Sequence, residues 1–235
     1  MFADVHVLPP AATAVVTANS GGMTIQERRK WDAQPVPTGL EAAAELVRET
    51  LRVETERLSI ADVPVAAVTS GGLDSSFVTA LLASKLPGLV GFHVRYQGHW
   101  PFDEVVFARD LANQYKLRLH EVELDSADFP DMLDDVVRHL GQPNADPITV
   151  STFALFRAVH AAGYRVALTG DGADEFFGGY DRVKAALLDG EDWADRYVAA
   201  LAAAPARLRW QLYSADYQDY LRAHGTTQNV FEKIN

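Results

Sequence analysis

Two clusters of small and acidic residues carry the chemistry this chain can do: Ser70-Gly71-Gly72-Leu73-Asp74-Ser75-Ser76 and Gly170-Asp171-Gly172-Ala173-Asp174-Glu175. In the first, glycines without a Cβ let backbone N–H groups approach a phosphate closely. The positive end of a following helix faces the same anion. Asp74 is electrostatically out of place in such a cradle unless a divalent cation lies between its carboxylate and the phosphate oxygens. The pattern reads as a nucleotide–magnesium site. In the second cluster Asp171 and Asp174 sit among small residues, where Asp174 can share a magnesium with Asp74 while Asp171 faces the substrate. Gly-Gly or Gly-Asp-Gly alone is commonly just a turn. Two such loops following two strands of one sheet are harder to dismiss, because a parallel sheet brings its strand ends together.

The elements that must position these loops follow from hydrophobic period. Residues 65–69 read as a strand entering the first loop, and a helix follows to about Leu86, ending at Pro87-Gly88. Leu89–Tyr96 reads as a second strand, and Phe102-Asp103-Glu104 opens a helix with Val105, Val106, Ala108, Leu111 and Ala112 inward. Leu117–Leu124 alternates at period two as a third strand, helices follow near 127–140 and 151–162, and Tyr164–Thr169 is a fourth strand. Alternating strands and helices predict an α/β fold with a doubly wound parallel sheet. Ahead of it, Leu40–Leu58 is predicted as an amphipathic helix, and residues 1–39 as a lead-in with short strands at Val5–Leu8 and Ala14–Val16. Beyond Tyr180 the chain reads as a helical tail, in which Trp210, Tyr213, Tyr217 and Tyr220 repeat at helical spacing as a packing stripe. The expected domains are therefore 1–39, 40–180 and 181–235.

Composition excludes several classes. A net charge of −11 argues against a general nucleic-acid binder. None of the 235 residues is cysteine, which leaves no disulfide, thiolate nucleophile or Cys-based metal site. No apolar run reaches the ~18 residues of a membrane span and no signal pattern opens the chain, so a cytoplasmic protein is expected. His93 and His120 fall on strands with no partner at ligand spacing, and are read as satisfied, partly buried histidines.

The first loop resembles the pyrophosphate-binding loop (PP-loop) of ATP pyrophosphatases, which cleave ATP to AMP and pyrophosphate. It lacks the lysine of loops that transfer the γ-phosphate. Taken with Leu168–Tyr180, it closely resembles the synthetase domain of glutamine-dependent asparagine synthetases and their relatives, among them β-lactam synthetases and lasso-peptide cyclases. Weaker matches are Val63-Pro64-Val65, Phe102-Asp103-Glu104 with Ala108-Arg109, Gln142-Pro143 through Ser151, and Trp31 in the position of the family's linker tryptophan. The resemblance spans most of residues 1–180. It implies a PP-loop, adenine nucleotide alpha hydrolase-like fold that uses ATP and Mg2+. A carboxylate such as aspartate would attack the α-phosphorus, and ammonia or another amine would then displace AMP from the acyl-adenylate. It also implies the residue roles. Ser70, Gly71, Gly72, Asp74, Ser75 and Ser76 would hold pyrophosphate, Asp74 and Asp174 the metal, and Thr69 and Val94 would lie beside the nucleotide with Thr169 and Gly170 across from them.

The sequence departs from that family in three ways. The glutaminase half, with its N-terminal cysteine, is absent, which implies a separate glutaminase or an external amine. Position 171 is Asp where asparagine-forming members usually carry Glu and β-lactam synthetases Tyr, so both the acceptor and the role of Asp171 stay open. No lysine, neither Lys184 nor Lys233, lies in the motif that meets the adenylate in the family, and a C-terminal lobe is expected to supply it. The expected activity is AMP-forming amide ligation, alone or within a complex. The alternative is a nucleotide-binding, non-catalytic or partner-dependent subunit of a split synthetase. Other PP-loop reactions, such as NAD or GMP synthesis, are disfavoured by the Gly-Asp-Gly-Ala-Asp-Glu loop.

Overall fold

Strand pairing explains how two loops about a hundred residues apart in sequence come to lie together. In a computed structural model of the chain, β3 (Val65–Val68) pairs in parallel with β6 (Val166–Leu168), Val65 opposite Val166 and Ala67 opposite Leu168. Both glycine-rich loops therefore leave the same edge of one sheet. The structure describes residues 5, 8, 12–16, 23–27, 38–98, 103–142, 144, 146, 148–181, 183–184, 196–197, 199–200 and 204–224. Within these the chain divides into two compact units, Met1–Glu49 and Thr50–Asn235.

The first unit holds an antiparallel ribbon of β1 (Ala12–Val16) and β2 (Met23–Glu27). Val15 and Val16 on β1 are both exposed. The long helix α1 (Leu40–Leu58) has the bounds its period predicts and runs across the unit boundary. The residues Ala43, Val47, Leu51 and Thr55 recur along its covered side, whereas Leu40 is solvent-exposed.

The second unit is built on a four-stranded sheet in the order β5-β4-β3-β6, with β4 at Val90–Tyr96 and β5 at Arg118–Leu124. All three pairings are parallel. Chain order reverses beside β3, between β4 on one side and β6 on the other, which is where an open α/β sheet binds its ligands. Neighbouring residues of β3 serve opposite faces, as strand pleating requires. Ala67 joins Leu82 and Leu89 under α2 (Leu73–Lys85), while Ala66 joins Val90, Phe92, Leu155 and Val159 under α5 (Ile148–Ala161). A third cluster sets α4 (Phe129–Leu140) against α5 through Met132, Val136, Val150 and Ala154. The predicted doubly wound α/β sheet is thus present.

Several boundaries shift for identifiable reasons. On α3 (Val105–Tyr115) the residues Val105, Ala108 and Ala112 are buried, but Val106 is 51% exposed. One helical step of about 100° from Val105 turns it away from the sheet. Helix α5 starts at Ile148, earlier than predicted, where Asp146 Oδ1 accepts from the Ile148 N–H. The short α6 (Ala173–Phe177) follows the second glycine-rich loop. The tail forms α7 (Ala206–Leu212) and α8 (Ala215–His224), so the aromatic series is split across a break at Tyr213. Its rings pack on each other, Tyr213 edge-on to Tyr217 and Tyr217 stacked on Tyr220, and Tyr217 and Tyr220 remain half exposed. His93 is buried as expected, but His120 is exposed and stacks on Phe92. Trp31, Phe102, Pro143 and Lys233, the strand residues His6 and Val7, and the tail at 185–195 lie outside the described residues.

Candidate active site

The Ser70–Ser76 loop is tied into shape by its own hydroxyls. Ser70 N–H donates to Ser75 Oγ at 3.0 Å, the two serine hydroxyls lie 2.9 Å apart, and Gly72 N–H donates to Ser70 Oγ at 3.1 Å. Gly71 takes φ +91°, a conformation that favours glycine, and a Cβ there would collide with the Glu104 carbonyl oxygen at the start of α3. Gly72 caps α2 in an extended conformation with no side-chain hydrogen bond to the helix. The first turn of α2 is therefore free of a side-chain cap and can meet an anion.

The second loop closes against the first. Gly170 has no side chain because none fits: a Cβ there would stand 2.5 Å from Ser75 N and 2.7 Å from its Cα. The Thr169 hydroxyl donates to Asp171 Oδ2 at 2.8 Å, and Asp171 N–H reaches Thr169 Oγ1 at 3.3 Å. Asp174 lies in the first turn of α6, with its carboxylate where a Cβ on Gly179 would otherwise be. Tyr180 donates from its hydroxyl to Glu175 Oε1 at 2.8 Å.

Two cavities flank the end of β3. One, of about 380 Å³, is lined by Ser70, Asp74, Ser75, Thr169–Glu175 and Tyr180, with Val68 at its base. It gathers the predicted residues Ser70, Asp74, Ser75, Thr169, Gly170, Asp171 and Asp174 around one space. Its described lining carries four carboxylates and neither Lys nor Arg. The other cavity, of about 370 Å³, lies toward β4 and α5, lined by Val68, Thr69, Ser70, His93, Val94, Tyr96, Glu104 and Ser151 among others. It takes in the predicted Thr69 and Val94. Val68 and Ser70 are common to both. Gly71, Gly72 and Ser76 line neither, and belong to the turn and first helical turn between them.

Asp74 and Asp174 supply hard oxygen donors to the carboxylate-rich cavity. Among the described residues no group of three or more His, Cys, Asp or Glu is placed to hold a metal ion by itself. Two carboxylates suit Mg2+, which keeps part of its shell for water and phosphate oxygens rather than filling it from protein.

Sequence reasoning missed the residues that complete the second cavity. Glu104 enters the sequence reading only as a helix start and within the weaker match Phe102-Asp103-Glu104, yet its carbonyl covers Gly71 and the residue lines the cavity toward β4. Tyr96 and Ser151 form a 2.7 Å hydrogen bond across that wall from β4 to α5. His93 Nδ1 donates to Thr69 O at 2.9 Å, a contact to an oxygen that can only accept. The contacts that bring these residues together carry no local sequence signal.

The asparagine synthase family model matches residues 46–233. Asparagine synthetase [glutamine-hydrolyzing] 1 of Bacillus subtilis is 31% identical over 181 residues, covering 76% of this chain and 28% of that protein. The amidase chyE of Penicillium rubens is 35% identical over 146 residues, 56% of this chain and 22% of that one. The chain thus spans less than a third of the length of these relatives. Among solved structures, the glutamine-dependent NAD+ synthetase of Acinetobacter baumannii, in complex with adenosine diphosphate, is similar at 18% identity and a TM-score of 0.40, over 91% of this chain and 48% of that one. No described helix is long and apolar enough to cross a membrane.

Proposed function

The chain belongs to the asparagine synthase family, and from that premise we propose that it binds ATP over the end of β3 and forms amide bonds through an acyl-adenylate. One observation carries the reading: the cavity toward β4 and the carboxylate-lined cavity toward β6 meet at Val68 and Ser70. A nucleoside in the first has its phosphates over the Ser70–Ser76 loop and its α-phosphorus next to the second, where the acceptor carboxylate binds.

The balance of the reaction fits these parts. A carboxylate oxygen of the acceptor bonds to the α-phosphorus as the bond to the bridging oxygen breaks, giving an acyl-adenylate and pyrophosphate. An amine then attacks the acyl carbon, loses a proton, and AMP departs. The N–H groups of the first turn of α2 and the serine hydroxyls hold the departing pyrophosphate, with the positive end of the helix behind them. Asp74 and Asp174 would hold Mg2+, which when bound supplies charge neutralisation on the phosphate oxygens. Asp171, oriented by Thr169, stands on the acceptor side and is positioned to take the amine proton. Ammonia released by a thiol nucleophile has no source in a cysteine-free sequence. The reading assigns the amine supply, and a cation for the adenylate, to a glutaminase and a C-terminal lobe outside residues 1–235, whether on the same polypeptide or another. Residues 40–180 are the ATP-binding region, 1–39 its lead-in and 181–235 its helical tail. The acceptor is aspartate or a related small carboxylate, and the working compartment is the cytoplasm.

The test is chromatography of nucleotide products with candidate carboxylates and ammonia, for this chain alone and with a glutaminase and C-terminal lobe added. AMP with pyrophosphate is the expected pair, and ADP as the main product would sink the mechanism. ATP bound tightly with no turnover in either arrangement would leave a nucleotide-binding subunit.

A further inference from the structure

The peptide unit that opens the phosphate loop is held at both of its polar ends. Strand β3 ends at Val68, and Thr69 carries the chain into the loop. Thr69 N–H donates to Phe92 O at 2.9 Å, which extends the pairing with β4 by one residue. Its carbonyl oxygen accepts from a side chain, His93 Nδ1 on β4, also at 2.9 Å. Across the same peptide bond, Ser70 N–H donates to Ser75 Oγ at 3.0 Å. A peptide group is planar, so its C=O and N–H turn together. Water has little access to the carbonyl bond, since Thr69 is 1% exposed and His93 4%. A carbonyl left unmet in such a place is costly.

We propose that His93 is a positioning residue for the phosphate loop, fixing the Thr69–Ser70 peptide so that its N–H stays on Ser75 and its oxygen stays off the anion. The inference rests on the reading of Ser70–Ser76 as the pyrophosphate cradle. Without the imidazole donor the plane is free to turn, and the rotation that frees the carbonyl takes Ser70 N–H off Ser75 Oγ. It also presents an acceptor to a loop that must offer donors to phosphate. Ser75 is where the effect spreads. Its hydroxyl also meets Ser70 Oγ and Gly72 O, and its backbone lies against Gly170 of the acidic loop. One histidine on β4 thereby acts, through Thr69, on the loops that follow β3 and β6.

His93→Leu and His93→Asn separate this role from packing. Both lose the ring, but the asparagine amide can donate from nearly the position of Nδ1. The measurement is calorimetry on the full chain with Mg·ATP and with Mg·pyrophosphate, a probe that leaves the nucleoside cavity empty. His93→Leu should weaken both ligands by about tenfold to a hundredfold, the cost of an unmet buried carbonyl expressed as a smaller competent fraction of the loop. His93→Asn should recover most of that loss. Equal losses in the two variants, tracking a lower melting temperature, would mean that the ring only packs, and overturn the proposal. Parent-like binding by His93→Leu overturns it as well. So does weakened ATP binding with unchanged pyrophosphate binding, which moves the contact to the nucleoside. If the unaltered chain binds no ATP, the nucleotide reading fails and this inference fails with it. If it binds ATP but not pyrophosphate, the cradle lies elsewhere and the positioning role alone is overturned.

Discussion

Gly170 lies with its backbone against Ser75, so close that a single added methyl group would stand 2.5 Å from the Ser75 nitrogen. The contact joins the ends of β6 and β3, and sets the spacing between the two glycine-rich loops.

Gly170→Ala should therefore do more than lose a turn. The neighbouring atoms are backbone and cannot rotate aside, so overpacking of this kind costs about 1–3 kcal/mol. The expected outcome is a lower melting temperature together with weakened ATP binding, measured by thermal unfolding with and without nucleotide. Unaltered stability would mean that the loops are not in contact.

Asp74→Ala and Asp174→Ala should each weaken the magnesium-dependent part of ATP binding. Partners one layer outside a metal already cost about 10–100-fold in metal affinity when removed, and a direct ligand should cost at least that. Titrations of ATP with and without magnesium separate this from loss of nucleotide contacts. Variants that match the parent in both would remove Asp74 and Asp174 from the metal assignment.

Asp171→Asn keeps the size of the side chain and its hydrogen bond from Thr169 while removing the charge. ATP binding should persist and amide formation should fall by about 10²–10⁴-fold, the range for a lost general base. Thr169→Val, which only releases the carboxylate, should fall less. Equal amide yields from Asp171→Asn and the parent would exclude a proton-transfer role.

Arg109 on α3 grips Glu121 on β5 through two hydrogen bonds, Nε to Oε1 at 2.6 Å and Nη2 to Oε2 at 2.7 Å. Those hydrogen bonds, above all, hold the Glu121 carboxyl below the usual carboxylate range, against a smaller upward push from burial. A carboxyl whose value is lowered by folding stabilises the fold above its unfolded value of about 4.3, and that contribution fades as pH falls through the folded value. Glu121→Gln should therefore melt below the parent at neutral pH, with the two curves converging in acid. The gap should be modest, since half of the Arg109 side chain is in water. A difference that stays constant from pH 7 to strongly acid pH would rule out the charged pair as its cause.

Local pattern makes the strands, the phosphate loop and the acidic loop legible in the sequence. Val65–Val68, Val90–Tyr96 and Arg118–Leu124 fall within a residue of where period and turn residues place them. The site became readable because both of its loops are short, contiguous and chemically unusual. Tyr96, Glu104 and Ser151 are single residues on or beside three different elements, β4, α3 and α5, that line one cavity. Long-range contacts of that kind leave no trace in spacing. Val106 was misplaced for the opposite reason, an apolar residue whose neighbours suggested burial but whose angle around α3 points it outward.

Among the described residues the two cavities share Val68 and Ser70, which turns the tip of one strand into a saddle between two basins of nearly equal size, about 370 and 380 Å³. A straight, rigid ligand can fill one basin or the other. A jointed ligand that bends over the saddle converts its second contact into an intramolecular event, with an effective concentration set by the length of the joint. An inhibitor for this fold gains more from the geometry of its linker than from further contacts at either end.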